Sequence, residues 1–311
     1  MNDAHIRELF LKAQKSFENT DAKNPINHDL IKNSLKKRNK DIHKGNCGHL
    51  AICAASPGLT GAACMASEAA LRGGCGLVTL CCAKELNSIF EIKLTEAMTM
   101  PVKSKRGVIS EKAFKDIYEK LKKCDALLYG PGLSPSKSIG LLLEKILSES
   151  NLPIVIDADG LNVLSQNMGL LKKAKSPIIL TPHIGEFSRL TGLSAKQIFE
   201  NKKEIALNFA KEYGVILVLK SHETIVTDGK DIFENVLGNP GMAVGGSGDV
   251  LAGLISAFLA QGNSILLSAL AGVYIHSLAG DMAALEIGEL SLLPRDIINV
   301  VSYAIKYSME Q

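Results

Sequence analysis

Four runs in this chain, DALLYG (125–130), LPIVIDA (152–158), PIILT (177–181) and GVILVLK (214–220), are almost continuously apolar. A strand with one face in water alternates between apolar and polar residues, whereas a strand covered on both faces does not. The runs therefore predict a parallel sheet enclosed between layers of helices. Two earlier segments, HLAICAA (49–55) and GLVTLCCA (76–83), read as further strands. Helical patterns separate the strands: GLTGAACMASEAALRGG, SIGLLLEKILSES, the segment around NVLSQ, SAKQIFENKKEIALNFAKEYG and two after Gly248. ETIVTDG marks a short hairpin after the last run. The expected class is α/β, with a central, mostly parallel sheet covered by helices on both faces.

With 311 residues the chain can bury a large core. No linker-like tract interrupts residues 41–311, which read as a single domain. Residues 1–40 read as a leader of one or two amphipathic helices ending in a solvated basic turn. The stretch Glu85 to Ser110 is the least regular and is expected to run as an excursion over the sheet edge.

The formal charge of +3 is small for this length, and no basic stripe with interleaved aromatics occurs, so nucleic acid is not an expected partner. All seven cysteines lie between Cys47 and Cys124 in no CxxC pair, mostly in apolar runs. That pattern predicts buried free thiols in a reducing compartment. The N-terminus is too polar for a signal peptide. The longest apolar stretch is broken by Gln261-Gly262-Asn263 and predicts packed helices instead of a membrane span. A cytoplasmic protein without a membrane partner is expected.

Polar residues and glycines gather after the strands, in GPGLS, DADGLN, TPHIGE and KSHET. In an open α/β sheet these loops share the carboxyl edge, where ligands bind. A fifth segment, NPGMAVGGSGDVLAG (239–253), joins them. Gly245, Gly246 and Gly248 allow close backbone approach, and the helix that follows offers N–H groups to an anion. Neither G-x-G-x-x-G nor a Walker A loop is present. Asp249 is either the N-cap of that helix or a functional carboxylate. A turn that only holds phosphate gains nothing from an acid, but phosphoryl transfer to an alcohol does. The carboxylate takes the hydroxyl proton while the helix start stabilises the phosphoryl group.

Other candidates are less determined. His183 either positions a polar substrate or caps a helix, and Glu186 is a candidate for a hydrated Mg²⁺. Of Asp157 and Asp159, one braces its loop and the other faces phosphate through metal and water. Lys44 is a candidate phosphate contact or a surface cation. Lys220, Ser221, His222, Glu223 and Thr224 can offer nucleotide contacts. His276 reads as a packing residue of the core or of a nucleotide pocket. No direct protein ligand for a metal is assigned.

Together these motifs resemble the ADP- or ATP-dependent NAD(P)H-hydrate dehydratases of the ribokinase-like superfamily, from about His43 to about Ile298. The resemblance is carried by HKGNCGHLAICAASPGLTGAA, ALRGGCGLVT, GPGLS, IVIDADGLNVL, LTPHIGEFSRL, VLKSHETIVTDG and NPGMAVGGSGDVLAGLISAFLAQG. It implies phosphorylation of the ring 6-hydroxyl of the S epimer of hydrated NADH or NADPH, followed by loss of phosphate to restore the dihydronicotinamide. ADP is the implied donor, with ATP as an option, alongside Mg²⁺; from ADP the other products are AMP and phosphate. Asp249 becomes the base, with Gly246 to Gly248 beneath the transferring group. Ala62, Gly132, His183 and Asp249 are implied to contact the hydrate, and Lys220 to Thr224 with Gly248 the nucleotide. The family also implies a dimer or tetramer and an epimerase, expected here on a separate chain. The chain departs from the family at Ala54-Ala55, where glycine is usual, and at Ser221 and Glu223, where small residues are usual. The alternative expectation is a ribokinase-like kinase that stably phosphorylates a vitamin-precursor alcohol.

Overall fold

A computed structural model describes residues 3–310. Its strands are β1 (His49–Cys53), β2 (Leu77–Ala83), β3 (Met98–Val102), β4 (Ser104–Lys105), β5 (Val108–Ile109), β6 (Ala126–Tyr129), β7 (Ile154–Ile156), β8 (Ile178–Leu180), β9 (Ile216–Leu219), β10 (Ile225–Thr227) and β11 (Ile232–Glu234). Nine of them form one sheet in the order β3-β2-β1-β6-β7-β8-β9-β10-β11. Pairing is parallel from β3 through β9, and the β10–β11 hairpin closes that edge antiparallel. Strands β6 to β9 are buried at every position, which is why their sequences do not alternate.

The irregular stretch 85–110 is more than an excursion. It contains β3, which pairs in register with β2 from Thr79 opposite Met98 to Ala83 opposite Val102, followed by the small β4–β5 ribbon. MTMPV lacks the apolar run of its neighbours because an edge strand is only partly covered, and its proline is tolerated at the edge.

Helices Thr60–Arg72, Ser247–Ala260, Ile265–Ile287 and Pro294–Glu310 pack on one face, and Lys137–Glu149, Ile184–Thr191 and Lys202–Tyr213 lie on the other. Ile265–Ile287 has the length and apolar composition of a membrane span, but most of it is buried as a core helix. The leader adds helices Asp3–Ala13 and His28–Ile31 and the segment between them to the same core through Ile6, Phe10, Ile26 and Ile31. Between them Pro25 forms a parallel bridge to Glu234, so the leader covers the exposed side of β11. All seven cysteines are free and buried. Burial raises the thiols of Cys75 to about 11 and of Cys82 and Cys124 to about 12, so these three are not ready nucleophiles.

Strand order reverses at β1, which has β2 on one side and β6 on the other. Ligand crevices open outside the carboxyl ends of strands at such a point. Here the two strand-end loops meet directly, as Ala55 N–H donates to the Pro131 carbonyl at 2.8 Å.

Candidate active site

Helix Ser247–Ala260 is apolar on nearly all sides and buried along its length, so packing fixes where it begins. Its N-cap is Gly246, at φ +103°, and no side chain caps it. Asp249 is therefore the third residue of the helix and not its cap. The first turn is left to meet a ligand with backbone N–H groups and the positive end of the helix dipole. Burial lifts the Asp249 carboxyl to about 7, helped by Asp157, Asp159 and Glu186 and opposed by Lys220. A carboxylate so placed can take a proton at neutral pH.

Lys220 follows β9 and is held by its backbone, whose N–H donates to the Pro182 carbonyl at 2.8 Å. Its Nζ donates to Asp157 Oδ1 at 2.8 Å, and Thr181 Oγ1 donates to the same oxygen at 2.8 Å. A side chain added at Gly248 would start 3.3 Å from that Nζ, so the ammonium borders the glycine turn. Burial pulls the ammonium down, but Asp157, Glu186 and Asp249 together outweigh it and hold its pKa above the ordinary value.

His183 and Glu186 form a reciprocal cap at the start of helix Ile184–Thr191. His183 Nδ1 accepts from Gly185 N–H at 2.9 Å and from Glu186 N–H at 3.4 Å, while Glu186 Oε2 accepts from His183 N–H at 2.9 Å. With Nδ1 occupied as an acceptor, a neutral His183 carries its proton on Nε2. That nitrogen lies 3.6 Å from Glu186 Oε1 on a ring that is half exposed, so His183 both caps the helix and carries a donor beside that carboxylate. Glu186 is raised by burial against the pull of Lys220, with Asp157 adding to the rise.

Ala62 and Gly132 meet at the switch point: a side chain on Gly132, which sits at φ +63°, would lie 3.4 Å from Ala62 Cβ and 2.8 Å from the Leu59 carbonyl oxygen. Asp159 braces the neighbouring loop, its Oδ2 accepting from Ser134 N–H at 2.9 Å and its Oδ1 from Asn162 Nδ2 at 3.1 Å. Between the two acids Ala158 adopts φ +48°, a sparsely populated conformation held by these bonds. In the 220–224 loop, Thr224 Oγ1 accepts from Ser221 N–H at 3.3 Å and donates to the Ser221 carbonyl at 3.0 Å, leaving His222 and Glu223 exposed at the tip.

Lys44 does not belong to this site. It opens a short 3-10 helix before β1, at the amino edge of the sheet. Gly48 beside it packs on the Ala260 carbonyl, at the far end of the helix that carries Asp249. Ala260 lies eleven helical steps beyond Asp249, about 16.5 Å at 1.5 Å each. Of its two expected roles, phosphate contact and surface cation, the exposed Lys44 keeps the second.

Three supporting groups carried no clear sequence signal of their role. Thr181 helps to fix Asp157. Asp281 accepts from Gly238 N–H and Asn239 Nδ2, both at 2.8 Å, and so anchors the lead-in to the glycine turn; an acid in the middle of a long apolar helix was the available hint. Ser247 Oγ lies 3.3 Å from His276 Nε2. Burial takes His276 down to about 4, so this ring is neutral and braces the turn. Ala55, at the departure from the usual glycine, has φ +76°, the region glycine occupies at least cost.

A family model described as NAD(P)H-hydrate dehydratase matches residues 50–302. The chain is 38% identical over 283 residues to the bifunctional NAD(P)H-hydrate repair enzyme of Moorella thermoacetica, covering 90% of this chain and 53% of that protein. It is 32% identical to the ADP-dependent (S)-NAD(P)H-hydrate dehydratase of Lactiplantibacillus plantarum, covering 84% of this chain and 90% of the relative. The ADP/ATP-dependent NAD(P)H-hydrate dehydratase of Bacillus subtilis, crystallised with ATP and Mg²⁺, superposes with a TM-score of 0.77 at 25% identity, covering 93% of this chain and 100% of that one. The chain spans about half the length of the bifunctional relatives it matches. The extent of the family match and these identities show that the chain belongs to the NAD(P)H-hydrate dehydratase family, on a ribokinase-like α/β fold.

Proposed function

We propose that this chain dehydrates the S epimer of hydrated NADH or NADPH at the expense of ADP, releasing AMP and phosphate, with ATP as an alternative donor. One observation carries the reading: a carboxyl raised to about 7 stands in the first turn of an uncapped, buried helix, with the Lys220 ammonium bordering the same turn. Asp249 takes the proton of the ring 6-hydroxyl, whose oxygen bonds to the terminal phosphorus of the nucleotide as AMP leaves. The first-turn N–H groups and Lys220 hold the charge on the transferring group. The C6–O bond then breaks, its electrons leaving with phosphate while the ring nitrogen lone pair forms a double bond to C6. Loss of the C5 proton restores the dihydronicotinamide. Ala62 and Gly132 form a small-residue wall for the ring, and His183 Nε2 donates to its polar substituents.

Among the described residues no cluster of three or more His, Cys, Asp or Glu side chains forms a metal cage. The acidic groups present fit a hydrated magnesium that arrives with the nucleotide, and Asp157 and Glu186 are the residues that would hold it. When bound, that ion would neutralise charge on the nucleotide phosphates. The reading extends to a cytoplasmic location, in keeping with the free cysteines, to a dimer or tetramer, and to an epimerase that supplies the S hydrate.

Oxygen labelling tests the order of steps. Hydrate prepared in heavy-oxygen water carries the label at its 6-hydroxyl. Phosphorylation before elimination delivers that oxygen into the released phosphate, whereas direct loss of water leaves the phosphate unlabelled and contradicts the mechanism.

A further inference from the structure

Lys202 is the first residue of helix Lys202–Tyr213, and only 9% of its surface is exposed. That place is unfavourable for a cation on two counts, since its charge is largely desolvated and the helix dipole presents its positive end. The ammonium is satisfied from one direction, by the 220–224 loop. Its Nζ donates to the Glu223 carbonyl oxygen at 2.8 Å, to Ser221 Oγ at 3.3 Å and to Glu223 Oε2 at 3.3 Å. Ser221 Oγ in turn donates to the same Glu223 carbonyl at 2.7 Å, which closes a small ring of bonds under the loop tip. The two side chains that depart from the family pattern in this loop are thus those that engage Lys202. Lys220, which enters the catalytic cluster, is the residue just before them.

We propose that Lys202 is a positioning residue that fixes the shape of the nucleotide loop and so sets the affinity for the phosphoryl donor. The proposal rests on residues 220–224 contacting the nucleotide. Lys202 itself touches neither the catalytic turn nor the reacting atoms. Without its ammonium, the Glu223 carbonyl and Ser221 hydroxyl lose their shared donor, and the loop must be ordered at the moment of nucleotide binding.

Lys202→Met keeps the buried stem and removes the donor, and Lys202→Arg keeps the charge. The Met variant is expected to raise the KM for ADP about tenfold, as loss of a charge-assisted bond to a binding loop implies, with kcat changed less than threefold and the KM for hydrate unaltered. The Arg variant is expected to recover most of the ADP affinity. An unchanged ADP KM in the Met variant overturns the proposal, as does a uniform loss of kcat and of both affinities that follows thermal stability. Hydrogen exchange of the wild-type chain with and without ADP tests the underlying reading separately. Protection of the 221–224 amides by ADP supports it, and absence of protection overturns the nucleotide-loop assignment itself.

Discussion

Lys220 Nζ donates to Asp157 Oδ1 at 2.8 Å across the carboxyl edge of the sheet. This pair joins β9 to the loop after β7 and leaves one cation among Asp157, Glu186 and Asp249. Lys220 holds the Asp249 carboxyl down against burial. Replacing it with methionine removes that pull, so the acid limb of the kcat/KM profile is expected to move to higher pH. The KM for ADP is expected to rise by roughly tenfold or more as a charge-assisted phosphate contact is lost. A pH series of initial rates at several ADP concentrations measures both.

Asp157→Asn is expected to move the same limb the other way. Asp157 stands after burial as the chief cause of the raised Asp249 carboxyl, and asparagine still accepts from Thr181 and Lys220. With the negative charge gone, Asp249 ionises at lower pH and activity persists further into the acid range. Opposite shifts in the two variants identify Asp249 as the titrating base.

Asp249→Asn separates chemistry from folding. Turnover is expected to fall by about 10²–10⁴, the usual contribution of a general base, while ADP still binds. The folded-state pKa of Asp249, about 7, lies above its unfolded value. Its protonated form is therefore favoured by folding, and ionisation destabilises the fold progressively from about pH 4 to pH 7, remaining constant above. The Asn variant should be more stable than the parent above pH 7, by on the order of 2 kcal/mol after allowing for partial exposure, and nearly equal to it at pH 4. Thermal melts at the two pH values measure this difference.

Ala55→Gly is expected to stabilise the chain by about 0.5–1 kcal/mol. Relief of the positive φ outweighs the greater freedom of glycine in the unfolded state. A denaturant midpoint that rises without a change in slope confirms it.

Much of the sheet was legible because doubly covered strands betray themselves as unbroken apolar runs. β3 was not, since an edge strand shows neither the unbroken run nor, with Pro101 within it, a clean alternation. In the site, Asp249, His183 and Lys220 announced themselves by following strands or glycines, because chain order fixes the edge from which such loops project. For Lys44 the sequence left two roles open, and its place before β1, at the opposite edge, leaves the surface cation. Thr181, Asp281 and Lys202 act through partners far away in the chain, and only the folded arrangement brings Asp281 under Asn239 or Lys202 under Glu223.

Incubation of the purified chain with chemically hydrated NADH, ADP and Mg²⁺, followed through the dihydronicotinamide absorbance, decides the proposed activity. Recovery of that absorbance with one AMP and one phosphate formed for each NADH restored is the expected result. No recovery with either ADP or ATP, together with stable phosphorylation of a vitamin-like alcohol, contradicts it.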